Sequence, residues 1–326
     1  MDLLFRPATE AELDELVAVH TAAYPDARGA EERRRNLAEN AFGGLSRLVV
    51  AERAGVIVGQ AFLFRMASWF GGARVRVGGI ASVAVAPDAR GQGVASALLD
   101  HLHDLARRRG DAVTLLYAFR QGFYARLGYA ATSPRKRLAL DPASIPEAMR
   151  REARRSVRRA NGADRRAIVR AYERAGARAS GWLVRSRALW DRIFARPRRQ
   201  VLVCARGRDL AGYVAFEIEQ DEPHAETRLC VEEMAYDDDE AWRALWGALG
   251  SMRDQVASIE IEVDAADALE HALVDPDRRR FGTAAVEHAL GDLVAGPMVR
   301  LVAVARAVEA RGYRGSATFD LVTTGA

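Results

Sequence analysis

Lysine is almost missing from this sequence. Lys136 is the one lysine among 48 basic residues, and arginine supplies the rest. A chain-wide bias of that kind says little about any single site. Cysteine is scarce too: Cys204 and Cys230 are too few for a disulfide framework and lack the C-x-x-C spacing of a redox pair. Their apolar settings, VLVCAR and TRLCVEE, read as buried strand thiols in a reducing compartment. No apolar run approaches the ~20 residues that a membrane span needs. The opening MDLLFRPATEAELDEL has no basic stretch followed by an apolar one, so it does not read as a signal peptide. A cytoplasmic location, with no membrane partner, is expected. Aromatic residues are few, and none precedes Tyr172 in the arginine-rich stretch from Glu147 to Arg174. Nucleic-acid binding would want stacking rings beside the arginines. With Glu147, Glu152, Asp164 and Glu173 interspersed, the stretch reads as solvated helix faces, and no nucleic-acid partner is expected.

What remains is the composition of a folded chain. The 326 residues are 49% apolar and 28% charged, with a formal net charge of +4. That length has room for two or three domains of roughly 100–200 residues each. Strands are expected at Leu3–Phe5, Arg47–Arg53, Val56–Arg65, Ala73–Val77 and Gly79–Ala86, with a hairpin turn at Ala54-Gly55. One helix runs from the N-cap Thr9 and its following acids to Tyr24, where Pro25 stops it. Others span Glu31–Asn40 and about Gly93–Arg109. Val113–Tyr117 reads as a strand, Gln121–Leu127 as a short helix and Tyr129–Leu140 as a returning strand. Beyond a linker at Pro142–Pro146, helices lie near Asp164–Arg178 and Arg185–Ala195. Strands at Gln200–Ala205, Gly212–Ile218 and Arg228–Met234, a helix at Glu240–Met252 and a strand at Ser258–Val263 then repeat the earlier rhythm. Met298–Ala303, a helix to about Arg311 and a strand at Ser316–Val322 close the chain. Strands layered with helices in this order make an α+β fold, and the repeated rhythm suggests a duplication.

The most informative stretch is GGIASVAVAPDARGQGVASA, beginning at Gly78. A strand ends at Pro87, passes through Arg90-Gly91-Gln92-Gly93-Val94-Ala95 and opens a helix. Glycines in such a loop let backbone N–H groups approach an anion, and the helix N-terminus favours a phosphate there. Arg90 can add a charge-assisted bond. The loop has no Gly-Lys-Ser/Thr, so it is not a nucleotide P-loop. It also follows several hairpin-linked strands and lacks a third glycine, unlike a dinucleotide-binding fingerprint. A pyrophosphate cradle is the expectation; a strand-to-helix turn that merely uses glycine is the plain alternative.

Downstream, Gly122-Phe123-Tyr124-Ala125-Arg126-Leu127-Gly128-Tyr129 turns from helix to strand. Arg90-x-x-Gly93-x-Ala95 together with Phe123-Tyr124-x-x-x-Gly128-Tyr129 resembles the signatures of the GNAT superfamily of N-acetyltransferases. More narrowly, the chain resembles the Eis-type members, which carry two GNAT-like domains and a sterol-carrier-protein-like third domain. The likeness runs from about residue 1 to 315. It is specific in residues 79–130 and in the stretch from Pro297 to Tyr313, visible in Ala241-Trp242-Arg243-Ala244-Leu245-Trp246, and weak in the rest of the second half.

That resemblance implies acetyl-CoA as cosubstrate and no metal. It implies that the backbone of Val83, Ala84 and Val85 pairs with the pantetheine amides. Gly91, Gln92, Gly93, Val94, Ala95 and Ser96, with Arg90 beside them, would hold the pyrophosphate. Phe119 and Arg120 would border the CoA arm. Tyr124 would protonate the departing thiolate, a task that suits a phenol neutral at pH 7. The plain reading of Tyr124 is a core ring with a wet hydroxyl, although Tyr129 fits that role better.

In the second half, the corresponding turn reads Tyr236-Asp237-Asp238-Asp239-Glu240. Acids there suit a helix start and would repel a pyrophosphate, so the second copy is expected not to bind CoA. The amine acceptor needs a base. Ile80-Ala81-Ser82-Val83 offers no acid, and His101 and His103 on the long helix read as surface or satisfied histidines. In Eis-type enzymes the resemblance places that base at the C-terminal carboxylate of the third domain. Here the chain ends at Ala326, about one helix and one strand into that domain, so a water relay to a cleft acid is expected instead. Asp26, with Glu31 and Glu32 near it, and Trp69 at a hairpin tip would edge an acidic, aromatic cleft. Such a cleft would draw a polyamine, an aminoglycoside or a lysine side chain. Helix-capping acids paired with Arg33-Arg34-Arg35 are the alternative.

Taken together, the expectation is tandem GNAT folds, α+β, with mixed central sheets flanked by helices. A catalytic domain at 1–142, a second, non-catalytic GNAT-like domain at 143–296 and a partial sterol-carrier-protein-like segment at 297–326 are expected, in a homo-oligomer. The expected activity is N-acetyl transfer to a primary amine; a non-catalytic CoA-binding or scaffold protein is the alternative.

Overall fold

A computed structural model describes residues 3–26, 28–207, 209–223, 225–275, 289–313, 315 and 318. The described residues form two compact units. Unit 1 draws on Met1–Thr114, Gly176–Val184 and Leu301–Ala326, and unit 2 on Leu115–Ala175 and Arg185–Arg300.

Unit 1 begins with β1 (Leu4–Pro7), α1 (Leu13–Ala23) and α2 (Ala30–Ala38). Then come β2 (Leu48–Arg53), β3 (Val56–Phe70), β4 (Ala73–Val85), α3 (Val94–Arg108) and the first half of β5 (Val113–Leu116). These strands lie side by side in the order β1-β2-β3-β4-β5, and the first three pairings are antiparallel. The β3–β4 hairpin turns on Gly71 and Gly72, at φ +59° and +89°, the two-residue loop in which both positions need positive φ. β4 is one strand where two are expected, because Gly78 and Gly79 are packing glycines, not a break. A Cβ on Gly79 would lie 2.3 Å from Met66 Sδ, and one on Gly78 would lie 3.0 Å from Thr114 Cγ2.

Side-chain alternation divides the two faces of β3. Phe62 and Phe64 pack with Leu16 of α1, Leu37 of α2 and Leu48 and Val50 of β2. Gly59 belongs to the opposite face, where its Cβ position is 3.1 Å from Val94 Cγ1 of α3. α3 buries Val94, Leu98, Leu99, Leu102 and Ala106, the spacing of one helical stripe. At the far end of β3, Trp69 N–H donates to Trp182 C=O at 2.8 Å and Val184 N–H donates to Ala67 C=O at 2.8 Å.

Unit 2 opens with α4 (Gln121–Ala125), β6 (Ala130–Ala131), β7 (Arg135–Leu140), α5 (Glu147–Ser156) and β8 (Val157–Arg159). α6 (Arg165–Arg178), α7 (Arg187–Phe194), β9 (Gln200–Arg206), β10 (Asp209–Glu219), β11 (Arg228–Tyr236), α8 (Asp239–Gly250) and β12 (Ser258–Asp264) follow. β13 (Gly291–Val294) and β14 (Met298–Leu301) come last, and β14 pairs with β6. The sheet order is β13-β7-β12-β11-β10-β9-β8, with β11 and β12 parallel. Its core holds Trp246, Phe216, Leu245 and Ile259, all 2% exposed or less. α5 lies so close to α8 that a Cβ on Gly247 would sit 2.0 Å from Met149 C=O.

The expected Tyr129–Leu140 strand is divided by Ser133-Pro134, where proline removes a ladder donor. Its second half, β7, pairs with β12 and β13, so the boundary expected at residue 142 falls inside unit 2. The last helix, α9 (Val304–Ala310), belongs to unit 1. Of the strand expected at residues 316–322 only Thr318 is described, and Ala326 also lies outside the described residues.

Candidate active site

β4 is bulged. Gln60 pairs with Ala84 and Phe62 with Ala81, so Ser82 and Val83 together oppose Ala61. Ser82 takes φ +51°, a left-handed backbone that few residues with a Cβ adopt. The bulge interrupts the β3–β4 ladder at Val83, whose carbonyl accepts a hydrogen bond from Tyr24 Oη at 3.1 Å.

After β4 a single turn, Pro87–Ala89, leads through Arg90–Gly93 into α3. Gly91 and Gly93 have φ +75° and +79°, and a Cβ on either would meet nothing within 4 Å. The backbone conformation demands glycine, and the space that glycine leaves is open. Gly93 is the N-cap of α3, and among the described residues no side chain caps this helix. The N–H groups of Val94, Ala95 and Ser96 therefore carry the positive end of the helix dipole to an open loop, the geometry that binds a phosphate.

The loop side chains brace the turn. Arg90 donates to Ala22 C=O at 2.7 Å, which fastens the end of α1 and leaves further guanidinium donors. Gln92 Oε1 accepts from Arg53 at 2.6 Å and Nε2 donates to Asp88 C=O at 2.7 Å. Val94 is buried, so it has only its backbone to offer.

A cavity of about 220 Å³ opens on the other face of β3 and β4, beside the bulge residue Ser82. Phe42, Phe62, Phe64 and Leu37 form its apolar wall. Phe62 and Phe64 stack with centroids 4.6 Å apart. His20, Arg28, Arg33, Asn36 and Asn40 supply polar groups. Arg33 is buried and donates to His20 Nδ1 at 2.9 Å and to Tyr24 C=O at 2.6 Å. A guanidinium only donates, which assigns His20 the neutral tautomer with its proton on Nε2. Burial first, then the Arg33 and Arg28 charges, push the His20 pKa down to about 4. The ring nitrogen that has a lone pair is thus already engaged, and His20 does not serve as a base.

Of the two expected acceptor-site residues, Asp26 is exposed and does not line this cavity. Arg28 and Arg33 both pair with its carboxylate, and the Arg28 hydrogen bond above all holds its pKa well below the usual range. Trp69 is buried under Arg74 and against Gly176. It pairs with Arg74, seven residues along β4 from Ala81, which is roughly 23 Å at 3.3 Å per residue. The structure therefore does not bring Trp69 to the cradle end of the hairpin. His101 stacks on Phe5 at 4.8 Å, and His103 is buried in α3.

Tyr124 belongs to unit 2, on α4. Its ring is 3% exposed and meets Phe123 edge-on at 5.0 Å and Tyr129 at 5.9 Å. Phe119, 74% exposed, also faces it edge-on, and Arg120 is the exposed N-cap of α4. Tyr124 and Tyr129 are equally buried, so burial does not tell the two rings apart.

Sequence reading missed the Phe42–Phe62–Phe64 wall, which draws on β3 and a distant loop, and it missed Gln60. Gln60 is fully buried on the same face of β3 as Phe62, and among the described residues neither its amide nitrogen nor its amide oxygen has a hydrogen-bond partner. The visible signal was a lone glutamine in an apolar strand.

In unit 2 the matching strand, β11, is bulged at Glu232, since Ala215 pairs with Glu233 and Phe216 with Val231. Here the strand places a half-buried carboxylate. Glu233 accepts from Tyr213 Oη at 2.7 Å and from Arg199 at 2.8 Å, and pairs with Arg185. Burial works to raise its pKa, but the two arginines outweigh it and the carboxyl is held low. Arg185 lies over Tyr172 at 3.9 Å and Trp190 at 4.6 Å. The following helix is capped: Asp238 accepts from Ala241 N–H at 3.0 Å and pairs with Arg206. Among the described residues, no cluster of His, Cys, Asp and Glu is arranged to hold a metal ion, and no helix is long and apolar enough to cross a membrane.

The fold and these two bulged-strand units define the class. Residues 5–132 match the acetyltransferase (GNAT) domain, and residues 181–301 match a second acetyltransferase (GNAT) domain. The chain thus carries two acetyltransferase (GNAT) domains in tandem. Among curated proteins it is 28% identical over 257 residues to the N-acetyltransferase Eis of Mycobacterium tuberculosis and of Mycobacterium bovis. That match takes in 72% of this chain and 57% of each relative, so the chain spans little more than half their length. Among solved structures, a GCN5-related N-acetyltransferase from Kribbella flavida superimposes with TM-score 0.77 at 25% identity, over 97% of this chain and 75% of that one. Eis1 from Mycobacterium abscessus does so with TM-score 0.71 at 23% identity, over 97% and 78%, which speaks for the fold alone.

Proposed function

We propose that the protein is an acetyl-CoA-dependent N-acetyltransferase that acts on a primary amine by direct attack in a ternary complex. The observation that carries this reading is the uncapped start of α3 behind the bulged β4, where Gly91 and Gly93 leave open space before outward N–H groups. In this reading the backbone of Val83, Ala84 and Val85 pairs with the pantetheine, and residues 91–96 with Arg90 hold the pyrophosphate. Phe119 and Arg120 border the CoA arm. The amine nitrogen attacks the acetyl carbonyl, the carbon–sulfur bond breaks, and the Tyr124 phenol protonates the leaving sulfur. The polyamine, aminoglycoside and lysine classes are the cationic acceptors to try first. The curated relatives named N-acetyltransferase support the reaction type.

Thiol release from acetyl-CoA, measured with a panel of amines, tests the proposal. Tyr124→Phe is expected to lower kcat by roughly 10²–10⁴-fold while acetyl-CoA still binds. Unchanged turnover would remove Tyr124 from the role of acid. Saturable acetyl-CoA binding without turnover on any amine would favour the non-catalytic CoA-binding alternative.

A further inference from the structure

Tyr24 is held from several sides at once. It ends α1, where its N–H donates to His20 C=O at 2.9 Å, and Pro25 after it restricts its backbone. Buried Arg33 donates to its C=O at 2.6 Å. Its ring lies on the His20 ring, with centroids 4.6 Å apart and planes at 23°. Backbone and ring together aim the hydroxyl, which donates to Val83 C=O at 3.1 Å, 59 residues along the chain. Burial raises the pKa of the phenol, which keeps it a neutral donor. What the hydroxyl holds is a strained stretch of β4. Ser82 and Val83 share one opposite residue, Ala61, so the β3 ladder does not pair each of them in turn. Ser82 sits at φ +51°, which a residue with a Cβ adopts at a cost. Strain of that kind persists where the surroundings over-determine it, and the bond from Tyr24 ties the bulge to a second element, α1. A carbonyl oxygen has two lone pairs, so the Val83 oxygen can accept from Tyr24 and from another donor together.

We propose that Tyr24 is a positioning residue whose hydroxyl holds the Ser82–Val83 bulge in the form that receives the pantetheine arm of acetyl-CoA. The inference rests on the acetyl-CoA reading of the site and adds to it a side chain that acts through the β4 backbone. The strain at Ser82 is then offset by a bond within the protein before the cosubstrate arrives, so less of the binding energy goes into shaping the strand.

The test compares two ligands by calorimetry on the full chain. One is acetyl-CoA, and the other is 3′-phospho-ADP, which has the nucleotide and pyrophosphate of CoA without the pantetheine arm. Tyr24→Phe keeps the ring that stacks on His20 and removes only the hydroxyl. It is expected to weaken acetyl-CoA about fivefold, the effect of one hydrogen bond, and to leave 3′-phospho-ADP within about twofold. Adding Ser82→Gly relaxes the positive φ. It is expected to return acetyl-CoA to within about twofold of the native affinity, a larger gain than the same change makes in the native chain. Equal weakening of both ligands would make Tyr24 a general structural support and overturn the inference. An acetyl-CoA affinity that is unchanged in Tyr24→Phe would overturn it too, as would a tighter one, since the hydroxyl would then compete with the pantetheine for Val83. A defect that Ser82→Gly leaves in place would overturn the link to strain at Ser82. A native chain that binds neither ligand would overturn the acetyl-CoA reading and this inference with it, whereas native binding that Tyr24→Phe does not alter removes Tyr24 and leaves that reading intact.

Discussion

After bulged β4 the chain enters α3 through Gly91 and Gly93, with no side-chain cap and open space at both glycines. After bulged β11 it enters α8 through Asp238, whose carboxylate caps the helix and pairs with Arg206. The two turns follow the same supersecondary order, strand, bulge, turn and helix. One leaves the positive helix end open, and the other satisfies it from within the protein. The bulges differ in the same sense. At β4 the interrupted ladder exposes backbone at Val83, while at β11 the neighbouring Glu233 is locked by Arg185, Arg199 and Tyr213. One topology thus holds an open turn in unit 1 and a side-chain-filled counterpart in unit 2, and a handful of residues makes the difference.

The comparison can be broken at its strongest point first. Glu233→Ala leaves half-buried Arg185 without its carboxylate partner, while Arg199 keeps Glu232 at 2.7 Å, and is expected to cost about 3 kcal/mol of stability, read by denaturant unfolding. A loss under about 1 kcal/mol would mean that the filled bulge of unit 2 is not held by its ion pairs.

Unit 1 has its own titrating weak point. His20 has its pKa lowered from 6.5 to about 4, so between those values the unfolded chain binds more protons than the folded one. Stability therefore rises with pH across this window and is lost as pH falls from about 6.5 toward 4, by about 3 kcal/mol in all. Unfolding midpoints of the native chain and of His20→Asn, measured from pH 7 to pH 4.5, are expected to converge at the acid end.

Importing the unit 2 solution into unit 1 sharpens the contrast. Gly93→Asp puts a carboxylate where a phosphate would sit and a Cβ at φ +79°. It is expected to weaken acetyl-CoA binding by roughly 100-fold, measured by calorimetry. An unchanged Kd would show that the turn is no cradle. The smallest effect is the reverse operation. Asp238→Ala removes one cap, is expected to cost about 1 kcal/mol in unfolding experiments, and leaves acetyl-CoA affinity as it was.

Much of this contrast was legible in the residues. Pro87, Gly91 and Gly93 announce a strand, an open turn and a helix because only glycine relaxes into positive φ. Asp237, Asp238 and Asp239 announce a capped start because acids stabilise a helix N-terminus. Both are local signals, decided within a few residues. The cavity was illegible for the opposite reason. Asp26 reads with Glu31 and Glu32 as the edge of an acidic cleft, yet Arg28 and Arg33 take up its charge, and Trp69 reads as a rim aromatic yet is buried against Gly176. Phe42, Phe62 and Phe64 do not stand out as a group along the chain, and only folding stacks them.

The sequence by itself determined the order of strands and helices, the duplication and the identity of the two turns, because hydrophobic period, glycine and capping chemistry act over short spans. Tertiary structure alone decided that β7 joins the second sheet, that the β4 bulge falls at Ser82 and Val83, and that aromatic rings and arginines line the unit 1 cavity. Those outcomes depend on which strand supplies the opposite edge and which side chain reaches a charge first, and both are set by contacts between residues far apart in the chain.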